Sequence, residues 1–75
     1  MLNNPFMVRM AQHLADRISA EATTLPARIQ LAAALTLNRP LIPSELKVYE
    51  SYTQQHGLPN LCRLLLNTNE FLFID

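Results

Sequence analysis

Glycine is almost missing from this chain, which carries one in 75 residues. A hairpin-rich β fold needs residues that tolerate positive φ at its turns, so the scarcity argues against one. Tryptophan is absent and aromatic residues amount to 7%. A core must therefore be built from Leu, Ile, Ala and Met with a few rings, a mixture that suits helices. One cysteine, Cys62, allows no internal disulfide. It sits among leucines, where a thiol is ordinarily buried and inert. Net charge is lacking too, because six basic and six acidic residues cancel. Arg9, Arg17, Arg28, Arg39, Lys47 and Arg63 are spread along the chain. The basic footprint from which a nucleic-acid binder draws its affinity is not visible, and no nucleic-acid partner is expected. No run approaches the ~20 apolar residues of a membrane span. The opening "MLNNPFMV" has no basic region ahead of an apolar run, so it is not a signal peptide. Any export signal would lie outside this chain.

What the sequence has in quantity is apolar residues, at 49%, and five prolines. Its length suits one domain. A chain this short buries only ~60% of its unfolded surface, so its stability depends on good packing. Pro5, Pro26, Pro43 and Pro59 each stand at the head of an apolar, periodic segment. Proline is favoured in a first helical turn because the donor it lacks would be unpaired there. The expected fold is all-α: a small bundle of four helices with a short extra C-terminal helical turn.

The first helix is predicted over Pro5 to Ala22, capped by Asn4. Phe6, Met10, Leu14 and Ile18 recur every four residues, with Met7, Ala11 and Ala15 beside them, as one apolar stripe. The second is predicted over Pro26 to Leu37, with Thr24 as its cap. Apolar residues nearly all round it mark a central helix. Asn38 tolerates the left-handed conformation and reads as the stop. The third runs from Pro43 to about His56, with Leu46, Tyr49, Tyr52 or Thr53, and His56 on one face and Gly57 as the stop. Its cap position holds Ile42, which has no side-chain acceptor, and Glu45 is placed to reach back to the free backbone donors. The fourth begins near Leu58 or Pro59, with Leu61, Cys62, Leu65 and Leu66 inward. Asn67, Thr68, Asn69 and Glu70 then form a cap or kink, with a break expected over 67–69. A helix continuing to residue 73 is the alternative, since Asn and Thr each cost only ~0.7 kcal/mol or less inside one.

Chemistry is thinly represented. His13 and Asp16 have helical spacing, but a metal site needs three or four ligands and no other His or Cys pair completes one. His56 and Cys62 flank Gly57, yet nothing is placed to orient the histidine as a base. Tyr49 and Tyr52 could stack on a base or sugar, though partial burial with hydroxyls reaching water is commoner. One glycine cannot build a phosphate-cradling loop, and the six carboxylates form no pair recognisable as an acid/base dyad. No cofactor, metal or catalytic residue is expected, and the chain reads as a non-enzyme. The ending "FLFID" exceeds structural need most clearly. Phe71, Leu72 and Phe73 either fold back to complete the core or remain as an interface for a protein partner or a second copy.

Three stretches resemble a known family. "LNNPFMVRMAQHLADRI" resembles an "LNNPFV…QA…LAERL" segment, and "RIQLAAALTLNRPLIPSEL" resembles "R…AYRLALGREPTPEEL". "LPNLCRLLLNTNEFLFID" is similar to an "L.DLC.ALLNSNEFLYVD" ending, and this last motif is the most specific. Together they look like the extreme C-terminus of large planctomycete proteins with cytochrome-c-like and uncharacterised domains. The resemblance covers essentially the whole chain. It implies a parent that is secreted or envelope-associated, with a haem-binding domain upstream. It carries no haem chemistry here, because the sequence has no Cys-x-x-Cys-His. Asn38 stands where the pattern has Gly, and Asn67-Thr68-Asn69-Glu70-Phe71 where it has Asn-Ser-Asn-Glu-Phe. Ile42 replaces the pattern's threonine and removes the side-chain cap of the third helix. The same rhythm is similar to other helical modules of extracellular bacterial proteins, an analogy of fold that assigns no function.

The resulting expectation is a non-catalytic interaction or structural module, the C-terminal piece of a larger envelope protein. A first rival is a small DNA-binding domain reading a groove with Arg28, Arg39 and Lys47. A second is a fragment that lends Asn67, Asn69 and Glu70 to an active site completed upstream.

Overall fold

A computed structural model describes residues 4–68. Helix accounts for 83% of them and no strand is present among them, so the fold class is all-α, as expected. The helices are α1 (Pro5–Glu21), α2 (Leu25–Thr36), α3 (Pro43–His56) and α4 (Leu58–Thr68). From the start of α1 to the start of α4, each boundary falls within about a residue of a signal legible in the sequence.

Local chemistry explains those boundaries. Asn4 Oδ1 accepts from the Met7 amide at 2.8 Å, and Thr24 Oγ1 accepts from the Ala27 amide at 3.3 Å. Each satisfies a donor that the first turn cannot pair internally. Ile42 makes no side-chain cap; instead the Glu45 carboxylate accepts from the Ile42 amide at 3.1 Å. Asn38 sits in the left-handed region at φ 58°, just past Leu37, which caps α2. Gly57 closes α3 at φ 89°, ψ 160°, backbone that is essentially glycine-only.

The four helices share one core, made of Ala11, Ala15, Ile18, Ile29, Ala32, Ala33, Leu41, Leu61, Cys62 and Leu65. Four of these are alanines, which let helix backbones approach closely. The most extensive contact is between α1 and α4. α2 packs against α1, α3 and α4, whereas α1 and α3 do not touch among the described residues. α2 and α4, each packed on all three other helices, thus form the inner diagonal, with α1 and α3 on opposite flanks; the central place expected for α2 is shared with α4.

One detail differs from expectation. The buried stripe of α1 is Met7, Ala11, Ala15 and Ile18. Phe6 is 64% exposed, and Met10 and Leu14 are only half-buried. The helix is rotated by about one residue, so that Met7, Ala11, Ala15 and Ile18 are buried in place of Phe6, Met10 and Leu14. α4 is helical through Thr68, the last of the described residues, and residue 69 of the expected break lies outside them. Asn67 is buried and its Nδ2 donates to the Arg63 carbonyl at 2.8 Å, while the Thr68 hydroxyl donates to the Leu65 carbonyl at 2.9 Å. Both side chains back-bond within the helix, as Ser, Thr and Asn do when held in one. Asn69, Glu70, Phe71, Leu72 and Phe73, and with them the expected extra turn, lie outside the described residues.

Candidate functional site: the groove beside the second helix

The densest set of polar contacts surrounds the connection from α2 to α3. Gln30, in the middle of α2, presents its side-chain amide to the backbone of Leu41. Its Nε2 donates to the Leu41 carbonyl at 3.0 Å, and its Oε1 accepts from the Leu41 amide at 2.8 Å. The pairing works like one rung of a sheet and satisfies both backbone groups of a residue whose side chain is in the core. Arg39 and Glu45 then close the outside of the connection. Nη1 and Nη2 of Arg39 donate to the two Glu45 oxygens at 2.9 Å each, the bidentate geometry that fixes orientation as well as charge. Nη1 also donates to the Pro40 carbonyl at 3.2 Å. The Arg39 guanidinium, helped by the Ile42 amide, holds the Glu45 carboxyl down to about 2. Glu45 raises Arg39 in return.

These ties frame an open groove of about 540 Å³ lined by Gln30, Leu31, Ala34, Asn38, Arg39 and Pro40. Its size falls in the ~300–1,000 Å³ range of ligand clefts. The walls are mainly the apolar Leu31, Ala34 and Pro40, and the one charge at its edge, Arg39, is already neutralised by Glu45. Such a groove can take up apolar surface; it offers no nucleophile, base or carboxylate pair.

A comparable tie fastens the other end of α2. Arg28 Nε donates to the Ala22 carbonyl at 2.8 Å, and Nη2 to the Ser19 carbonyl at 3.4 Å. α1 has no basic residue in its last turn, and Arg28 supplies that cation from the neighbouring helix.

The other sequence candidates fall elsewhere. His13 is exposed, and Asp16 accepts from Gln12 Nε2 at 3.0 Å. Among the described residues no three of His, Cys, Asp and Glu are grouped to hold a metal ion. Cys62 is fully buried, and burial pushes its thiol up to about 11. His56 is exposed, its ring lying against Tyr52 with centroids 4.6 Å apart and planes tilted by 41°. Tyr49 and Tyr52 are half-buried against the core. Of the groove-reading trio, Arg28 and Arg39 are engaged with the chain's own carbonyls and with Glu45, leaving Lys47 exposed without them. No described helix is long and apolar enough to cross a membrane.

Sequence reasoning missed Gln30 and the cationic cap by Arg28. Gln30 meets a residue eleven positions away, and no local periodicity announces such a contact. A faint signal was present: Gln30 is a polar residue set inside the most apolar helix of the chain. No protein-family model, curated protein or solved structure matches this chain.

Proposed function

We propose that the chain is a non-catalytic helical module that works by contact, with the groove beside α2 as its docking surface. The observation that carries this reading is the use of polar side chains. Gln30, Arg39 and Glu45 are engaged with the chain's own connection, and what they hold open is an apolar groove. The resemblance to the ends of large planctomycete proteins supports a place as an accessory module of an envelope protein. The remainder of that parent, another protein or a second copy is then the partner. Phe71, Leu72 and Phe73 are a further candidate docking segment on sequence grounds.

The groove is tested with an apolar fluorescent probe such as anilinonaphthalene sulfonate at low protein concentration. The intact, folded chain is expected to enhance its emission, and Ala34→Arg, at an exposed lining position, to abolish the enhancement without loss of helix signal. A folded wild-type chain that leaves the probe dark overturns the reading.

A further inference from the structure

The four helices are not equally anchored. α1, α2 and α4 each bury four residues, whereas α3 buries Thr53 alone. Leu46, Tyr49 and Tyr52 of α3 are half-buried against the core, and Val48 is 65% exposed. Among the described residues α3 does not touch α1. An element with so few buried apolar contacts is the one that opens at least cost. Both of its flanks carry a joint. Asn38 at φ 58° and Gly57 at φ 89° are the positive-φ positions among the described residues, and they bracket residues 39–56. Within that stretch the polar ties are internal. Arg39 holds Glu45 and the Pro40 carbonyl, and Glu45 holds the Ile42 amide. Pro40 and Pro43 stiffen the connection further. The tie across to α2 is of another kind. Leu41 plugs into the core, and Gln30 clasps its backbone with two hydrogen bonds, at 3.0 and 2.8 Å.

We propose that residues 39–56 swing as one body about Asn38 and Gly57, a flap that Gln30 latches shut through Leu41 and that closes the groove beside α2. Hinges of this kind are a few element-terminal residues that absorb the change in φ and ψ, with the parts between them moving intact. The groove straddles the first joint. Gln30, Leu31 and Ala34 line it from α2, Arg39 and Pro40 line it from the flap, and Asn38 lies between. Shut, the groove has two walls; open, it keeps only the α2 side. What the flap closes on rests on the docking reading, whereas the swing rests on the burial and the joints. A ligand lying across both walls binds the shut form alone and holds it shut by that difference in affinity. The latch suits repeated opening. It is neutral, so no ion is stranded when it parts, and water takes up the freed amide and backbone groups. Little else is withdrawn from the interior, since Leu41 and Thr53 are the buried residues of the flap.

The reactivity of a thiol placed under the flap tests this. Thr53→Cys is made together with Cys62→Ala, which leaves one thiol in the chain, and its labelling by a soluble disulfide reagent is timed over a denaturant series. At low denaturant the rate should exceed, by about tenfold or more, the rate that global unfolding of the same variant allows, and it should vary little with denaturant because a swing exposes little surface. Gln30→Ala, which parts the latch, should speed labelling about tenfold. Arg39→Ala, which breaks ties inside the moving body, should leave the rate nearly unchanged. Anilinonaphthalene sulfonate at about ten times its dissociation constant should slow labelling about tenfold. If Thr53→Cys fails to fold, Leu46→Cys on the same helix takes its place. Three results overturn the flap: labelling that tracks global unfolding at every denaturant concentration, Arg39→Ala speeding it as much as Gln30→Ala, or a probe that brightens on the chain yet leaves the rate unchanged. If the probe stays dark, the docking reading falls, and the first two results alone decide the swing.

Discussion

Gln30 shows what a single side chain does in a chain with so little glycine. With few residues able to turn freely, the α2–α3 connection is held by side chains. Replacing Gln30 by Ala leaves both backbone groups of Leu41 without their partner in a half-buried place. An unsatisfied buried polar group costs about 1–3 kcal/mol, so a loss near 2 kcal/mol is expected, read as a lowered denaturant midpoint at unchanged slope. Glu45 makes the same connection sensitive to acid. Its folded value, about 2, lies below its ordinary 4.5. The stabilisation is thus fully present above about pH 4.5 and is lost as the pH falls from there towards 2. Acid unfolding of Glu45→Gln should lack this component and be flatter over that window, while wild type declines. Gly57 gives a third case. A Cβ there would meet nothing closer than Pro59 Cδ at 3.8 Å, an ordinary contact, so space does not forbid a side chain. The backbone does: Gly57→Ala should cost about 1–3 kcal/mol through conformation alone. A neutral result in thermal melts would show that α3 can end another way.

At the scale of elements, the termini were legible and the faces less so. Asn4, Thr24, Asn38 and Gly57 act where they stand in the sequence, because a cap or stop is a contract between residues three or four apart. Asn4→Ala should cost about 1 kcal/mol of stability. Glu45, reaching back to Ile42, was legible for the same reason. Which stripe of α1 goes inward was not, because Phe6, Met10 and Leu14 have helical spacing as good as that of Met7, Ala11 and Ala15. The choice is made by tertiary packing, which takes Ala11 and Ala15 into the shared core. Asn67 lies within α4, its side chain bonded one turn back to the Arg63 carbonyl. The candidate groove was invisible in sequence, since Gln30, Ala34 and Pro40 come together only through the fold of the connection.

On the scale of the whole molecule, the inner diagonal of α2 and α4 is where stability concentrates. At roughly 0.05–0.15 kcal/mol per residue, a chain of this length has about 4–11 kcal/mol to lose. Ile29→Ala or Leu65→Ala, at fully buried positions, should cost about 2–5 kcal/mol each, enough to unfold much of the population at ordinary temperature. The contrast lies on the other side of the same helix, where Ala34 and Leu35 can change without touching the core. α2 thus serves the core with one face and, under the proposed function, a docking groove with the other. Amide spectra of the labelled chain, recorded as the apolar probe is titrated in, test this most directly. Shifts are expected at Gln30, Leu31, Ala34 and Asn38, with those of Arg9, Asp16 and Lys47 unmoved. Spectra that do not change with the probe, or that change on the charged faces of α1 and α3 instead, contradict it.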